Sequence, residues 1–169
     1  MRAGVGFDSH RFDETRPLVL GGVCIPDAPG LKGHSDGDAV AHAITDAVLG
    51  AAGLGDIGAM FPDTDPAHEG ADSIGLLAAA VRRLRGRGFR VGNVDVTVIA
   101  EQPRIGPHAA AMRERLAGAL GVRPSDVSIK GKSNEGLGWI GRGEGLAVMA
   151  VATVGREGEP GSSGAGDGA

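Results

Sequence analysis

The chain has no tyrosine, one tryptophan and four phenylalanines in 169 residues, so any core it builds is filled mainly by valine, leucine, isoleucine and alanine. Such a core is thin, and association between copies is a natural supplement to it. Cysteine is almost absent too, with Cys24 alone. One thiol excludes an internal disulfide and a cysteine-rich zinc cage. Its place in the apolar run Val23-Cys24-Ile25 reads as a small buried side chain in a reducing compartment. There is no surplus of positive charge: 17 Lys and Arg stand against 21 Asp and Glu. Without a basic face, nucleic acid is not an expected partner, and any bound phosphate needs a local site. Long apolar runs are missing as well. None approaches the ~18 residues of a membrane span, and no basic region followed by an apolar segment opens the chain. The expectation is a cytoplasmic protein with no membrane partner.

What is present reads as an α/β protein, α+β-like, with a mixed β-sheet and helices packed on one face. One domain is expected over residues 1–154. The Gly-rich stretch 155–169 has nothing to bury and is expected to be a disordered tail. Ala3 to Phe7 reads as a strand, followed by a charged loop. Leu18-Val19-Leu20, Gly21-Gly22 and Val23-Cys24-Ile25 form a hairpin pattern that Pro26 ends. Asp38 to Leu49 has helical periodicity, with Val40, Ile44, Ala47 and Val48 on one face. The stretch from Gly55 to Pro66 is too irregular for a strand or long helix. A second helix follows Asp72 or Ser73, with Leu77, Val81 and Leu84 inside and Arg82, Arg83 and Arg85 outside. Arg90 to Ala100 is a strand, a third helix runs to Leu120, and Ser125 to Lys130 is a short strand. Leu146 to Val154 reads as a strand buried on both faces.

The chemistry concentrates in three places. Asp8 and His10, two residues apart on an extended backbone, point the same way. On the first helix Asp38, His42 and Asp46 stand one turn apart, and a solvated polar stripe accounts for them as well as function does. Asp8, His10 and His42 together have the donor types and number of a catalytic zinc site with an open fourth position. The glycine-dense run from Gly131 to Gly145 suits a phosphate cradle, with Lys132, Ser133 and Glu135 beside it; a flexible hairpin loop is the alternative. It is not a P-loop, which requires glycine where Asp126 stands. Gly4-Val5-Gly6 is not a dinucleotide fingerprint either, since Ser9 takes the place of the third glycine. His68 and His108 have no such company and read as surface residues.

The ordered set Gly4 to Phe12, Gly33-His34-Ser35-Asp36 with Asp38 and His42, Asp56-Ile57-Gly58, Phe61 to Pro66, Gly92 to Thr97, Gly136-Leu137-Gly138 and Gly141 to Gly145 resembles the 2-C-methyl-D-erythritol 2,4-cyclodiphosphate synthase family. The resemblance runs from about Arg2 to Val154. It implies a homotrimer with active sites between neighbouring subunits, and a metal-dependent cyclising phosphorus-oxygen lyase of non-mevalonate isoprenoid precursor biosynthesis. Such enzymes convert 4-diphosphocytidyl-2-C-methyl-D-erythritol 2-phosphate to the 2,4-cyclodiphosphate and CMP. By the same resemblance, zinc is expected on Asp8, His10 and His42, and a magnesium or manganese ion on Glu135. Substrate phosphates fall to His34, Ser35, Lys132 and Ser133, the methylerythritol to Asp56, Gly58 and Asp63, and the cytidine to Ala100, Arg104 and Ile105. Asp46 is expected to steady the His42 ring from behind. Phe7, Trp139 and Arg142 lie where similar trimers line a cavity on the symmetry axis that holds an isoprenoid diphosphate. Serine at 133 and arginine at 104 replace the threonine and lysine usual in the family. Two other readings stand beside this one: a zinc phosphohydrolase using Asp46 or Asp63 as base, and a non-catalytic trimeric module with structural zinc.

Overall fold

A computed structural model of the chain describes residues 1–62, 64 and 70–156. Five strands, β1 (Arg2–Leu20), β2 (Val23–Leu31), β3 (Phe89–Ile99), β4 (Val127–Lys132) and β5 (Gly145–Arg156), form a mixed sheet in the order β2-β1-β5-β3-β4. Among the described residues only β3 and β4 pair in parallel. The helices are α1 (Ala39–Ala52), α2 (Ile57–Met60), α3 (Ser73–Arg85), α4 (Ala109–Leu120) and α5 (Gly138–Gly141). Of these, α1 lies across β1 and β5, α3 packs on α1 and β3, and α4 packs on α3 and β4. The mixed sheet with helices is the architecture read from the sequence.

Strand β1 carries the site because of how it meets α1. Its even-numbered residues face the helix, and two of them, Gly4 and Gly6, have no side chain. A Cβ built on Gly4 would lie 2.1 Å from the Ala47 carbonyl oxygen, and one on Gly6 1.8 Å from that of Ala43. The helix backbone therefore rests directly on the strand, a contact only glycine allows. One period further on, the same face presents Asp8 and then His10. Ala39, Val40, Ala43, Ile44, Ala47 and Val48 on α1 are buried in this interface, with Val148, Ala150 and Ala152 of β5 beside them.

The start of α1 is anchored by Asp38, which is fully buried. Its Oδ1 accepts the N–H groups of Val40 (3.1 Å), Ala41 (3.0 Å) and Gly21 (2.8 Å), and its Oδ2 accepts that of Gly22 (2.6 Å). One carboxylate thus caps the helix and holds the β1–β2 turn. Burial pushes this carboxyl up to about 6, against the pull of the Ala41, Gly22 and Gly21 N–H groups.

Several sequence expectations are corrected. The charged segment after Phe7 is not a loop: β1 continues through it, pairing with β5 as far as Arg11↔Gly145 and then with β2 from Phe12↔Leu31. Pro26 does not end β2, because an edge strand tolerates the missing N–H. Cys24 is exposed, since Ile25 takes the inward position and alternation turns its neighbour out. The four-residue helix α2 lies within the stretch read as irregular. Residues 155 and 156 belong to β5, while the rest of the expected tail, 157–169, lies outside the described residues. Finally, β5 is buried on one face only. Met149 and Val151 are 46% and 41% exposed, beside Val5 at 64% and Phe7 at 57% on β1. The side of the sheet away from the helices is therefore apolar and open.

Gly6→Ala should destabilise the protein by more than ~2 kcal/mol, because the helix must be lifted from the strand. Gly50→Ala, on the exposed end of α1 with nothing within 4 Å of the added methyl, should stabilise by ~0.5–1 kcal/mol. Urea unfolding of the two variants measures the contrast.

Candidate metal centre and phosphate-binding rim

Asp8, His10 and His42 converge although 34 residues separate the first from the last. His10 Nε2 lies 2.9 Å, and His42 Nδ1 3.1 Å, from the same Asp8 oxygen, Oδ2. The far side of each ring is also occupied. His10 Nδ1 is 2.6 Å from the Lys32 carbonyl oxygen, which only accepts, so this nitrogen carries a proton. His42 Nε2 is 2.9 Å from Ser73 Oγ and 3.1 Å from Ser35 Oγ. A neutral His10 ring therefore turns a lone pair toward the carboxylate.

Without a cation, protons must compensate at this point. Burial raises the Asp8 carboxyl, but hydrogen bonds and charge from His10 and His42 outweigh it and bring it down to about 2. For His10 the bond to Asp8 is the largest influence and raises its pKa above the usual 6.5, with burial opposing. The pair's stabilisation has two limits in the metal-free protein. The His10 contribution is full below 6.5 and lost as pH rises through its raised folded value. The Asp8 contribution is full above 3.8 and lost as pH falls through about 2.

The loop before α1 forms the rim. His34 is exposed, whereas Ser35 is buried with its hydroxyl turned inward toward His42 and accepting from Gly37 N–H (3.2 Å). Arg16 grips the loop from β1, donating to the carbonyls of Gly33 (2.5 Å) and Ser35. Asp46 is not the partner expected behind His42. Its Oδ1 accepts the Ile57 N–H (2.8 Å), tying α1 to the first turn of α2, and Ser73 and Ser35 take the distal ring nitrogen instead. Asp56 caps α2 through the Ala59 N–H, and Gly58 is exposed in that turn. Asp63 and His68 lie outside the described residues. The polar stripe on α1 is thus not a solvated face: Asp38 is buried, and His42 and Asp46 are engaged.

The remaining expected residues gather at the far side of the sheet. Asp8 pairs with Val148, Val148 with Val98, and Val98 with Gly131. Three strand steps thus separate the metal triad from β4, ~14 Å at ordinary strand spacing. There Ala100 donates its N–H to the Lys132 carbonyl (2.9 Å), Ile105 is buried, and Arg104, Lys132 and Ser133 are exposed. Ser133 Oγ donates to Glu135 Oε1 (2.6 Å). Glu135 has φ 51°, and the N–H groups on either side of it, from Asn134 (3.0 Å) and Gly136 (3.1 Å), are both accepted by Glu101 Oε1. Glu101 and Arg16 are neighbours of the site that sequence reading missed, and Asp36 and Ser73, read there only as part of a motif and as a helix start, belong with them. Each acts on a residue distant in the chain, and no local pattern marks that. A cavity of about 440 Å³ is lined by Trp139 and Arg142 together with Ser9, His10, Arg11 and Glu144, and Arg142 Nε donates to Glu144 (2.7 Å). Phe7 lies on the same open side of the sheet but is not among the lining residues.

A mixed α/β sheet with helices over one face and an Asp-His-His cluster where a strand meets a helix defines an α/β protein with a candidate metal site. More particularly, the chain belongs to the YgbB family, whose model matches residues 1–155. It is 64% identical over 154 residues to the 2-C-methyl-D-erythritol 2,4-cyclodiphosphate synthase of Gemmatimonas aurantiaca, covering 91% of this chain and 93% of that one. Among solved structures it resembles a 2C-methyl-D-erythritol-2,4-cyclodiphosphate synthase in a CDP-bound form, at 39% identity and a TM-score of 0.83, covering 91% of this chain and 100% of that one. It also resembles the bifunctional IspDF of Campylobacter jejuni, at 44% identity and a TM-score of 0.88, covering 92% of this chain. The chain spans 42% of the length of that bifunctional protein.

In the metal-free protein, NMR titration should place the His10 midpoint above 6.5. Asp8→Asn should bring it down, since the largest raising influence is removed while burial and Arg16 still lower it, against the Lys32 carbonyl bond alone. A midpoint unmoved by the substitution would contradict the pairing.

Proposed function

We propose that this chain is the cyclising enzyme its relatives are named for, a phosphorus-oxygen lyase. It would convert 4-diphosphocytidyl-2-C-methyl-D-erythritol 2-phosphate to 2-C-methyl-D-erythritol 2,4-cyclodiphosphate and CMP. The observation that carries this reading is the convergence of Asp8, His10 and His42 beside the His34–Ser35 rim, in a chain of this family. The donor set of one carboxylate oxygen and two imidazole nitrogens fits zinc with a position left open. Glu135, a lone carboxylate on a loop fixed by Glu101, fits magnesium or manganese. Bound there, the two ions would supply Lewis acidity and charge neutralisation on the phosphate oxygens.

The chain's own residues position the reactants. In the reaction the 2-phosphate oxygen forms a bond to the β-phosphorus as the bond from that phosphorus to the bridging oxygen breaks, and the bridging oxygen leaves with CMP. No protein nucleophile is needed, so the work is alignment and charge. His34 and the backbone of the rim would hold one phosphate, while Lys132 and Ser133 hold the diphosphate. Asp56 and Gly58 on α2, with Asp63, would take the methylerythritol hydroxyls, and Ala100, Arg104 and Ile105 the cytidine.

Within one chain these two groups stand ~14 Å apart across the sheet. This separation, with the apolar open face formed by Val5, Phe7, Met149 and Val151, supports a homotrimer in which each site combines the metal triad of one copy with the cytidine pocket of its neighbour. The cavity beside Trp139 and Arg142 would then lie toward the trimer axis and receive an isoprenoid diphosphate. Residues 1–154 would act as one catalytic domain.

Purified protein supplied with zinc and magnesium should release CMP from the substrate, and chelation should abolish release. Failure to release CMP, or release of inorganic phosphate in place of a cyclic product, refutes the proposal. His42→Ala should lose zinc, whereas Glu135→Gln should keep zinc and slow turnover by roughly 10²-fold. Sedimentation should show a trimer, and Val151→Asp should dissociate it; a monomeric unmodified protein would rule out the shared site.

A further inference from the structure

The His42 ring is held from behind by a group that the proposed reaction does not use. Ser73 is the first residue of α3, 1% exposed, and its Oγ lies 2.9 Å from His42 Nε2 and 2.5 Å from Asp36 Oδ1. Asp36 grips it twice, since the Ser73 N–H also donates to Asp36 Oδ2 (3.1 Å). The carboxylate is itself fixed, because Oδ1 accepts the Asp38 N–H (3.1 Å) and the Asp36 N–H donates to the Ala71 carbonyl (3.3 Å).

The proton count decides the direction of this chain. A serine hydroxyl has one proton, and an ionised carboxylate only accepts, so the Ser73 proton goes to Asp36. The remaining lone pairs of Ser73 Oγ can only accept, and His42 Nε2 must therefore donate to them. Ser35 Oγ lies 3.1 Å from the same nitrogen and 3.3 Å from Ser73 Oγ, and it accepts from Gly37; with the Ser73 proton committed to Asp36, the contact between the two hydroxyls is filled by the Ser35 proton, which leaves Ser35 a weaker second acceptor toward His42. With its proton on Nε2, a neutral His42 presents the Nδ1 lone pair to Asp8 Oδ2, in the same direction as His10 Nε2.

We propose that Ser73, backed by Asp36, is a positioning residue that fixes the tautomer and orientation of the His42 imidazole so that Nδ1 faces the metal site. It deepens the metal reading above and rests on it, but the tautomer is a property of the metal-free chain and is measurable by itself. The chain also explains why α3 begins where it does. The helix delivers its first side chain to the back of a ligand on α1, so two helices and the rim loop share one hydrogen-bonded junction.

The test is nitrogen NMR of the His42 ring in the full metal-free chain at alkaline pH, together with zinc affinity measured by competition with a chelator. The expected result is a protonated Nε2 and an unprotonated Nδ1 in the unmodified protein. In Ser73→Ala the two tautomers should mix and zinc should bind about 10- to 100-fold more weakly. Asp36→Asn, which keeps the side-chain volume, should shift both readouts in the same direction and serves if Ser73→Ala does not fold. A proton on Nδ1 in the unmodified protein, or zinc affinity unchanged in the folded variants, overturns the assignment. If the tautomer is as expected but the unmodified protein binds no zinc, the metal reading fails and the positioning of the ring stands.

Discussion

The close contact of α1 with β1 over Gly4 and Gly6 is the constraint on which the site depends. With side chains at those two positions the helix would stand off by several ångströms, and His42 would no longer reach Asp8. The contact also explains why the ligand pair follows the glycine pair along one strand face. Gly4, Gly6, Asp8 and His10 share a direction, so the strand is empty where the helix must lie and polar where the helix begins. Asp38 completes the arrangement by joining the helix start to the β1–β2 turn through four backbone N–H groups, which sets where along the strand the helix begins.

At the metal triad the electrostatics follow from what occupies the far side of each ring. The Lys32 carbonyl fixes a proton on one His10 nitrogen, and the hydroxyls of Ser73 and Ser35 engage the distal nitrogen of His42. Two imidazoles and a carboxylate of depressed pKa then converge, with one ligand atom of each within 4.8 Å of the others. A cation compensates for that concentration of lone pairs more completely than a shared proton does, because it meets all three ligands at once. The rest of the sheet end is separated from this point by β5 and β3. The glycine-dense loop, held by Glu101, therefore belongs to a different half of the surface within one copy of the chain.

Much of this was legible in the residues themselves. Hydrophobic period two in Val94, Val96 and Val98, and helical period in Val40, Ile44, Ala47 and Val48, place the central elements, because burial of one face is a local property of the sequence. The donor types of Asp8, His10 and His42 also mark a candidate metal site, and the structure brings the three together. Other features resisted reading for identifiable reasons. The segment after Phe7 reads as a charged loop because its pairing partners, in β5 and β2, are remote in sequence or bulged in register. Cys24 reads as buried because a three-residue apolar run does not say which member points inward. Asp46 reads as the support of His42 because it is one helical turn away, whereas the actual support comes from another helix.

Read alone, the residues establish an aliphatic α/β chain in which one carboxylate and two imidazoles have the donor types of a metal site and glycine is dense between Gly131 and Gly145. Those conclusions rest on side-chain chemistry and on periodicities that each segment carries alone. Tertiary structure alone decided that Gly4 and Gly6 serve helix contact and that Ser73 and Asp36 stand behind His42. It also decided that the triad and the glycine loop are three strands apart, and that one face of the sheet is left apolar and open. The physical reason is the same in each case. Hydrogen bonds and van der Waals contacts act over a few ångströms in space and are indifferent to separation along the chain, so the partners that orient a ligand leave no mark on the residues beside it.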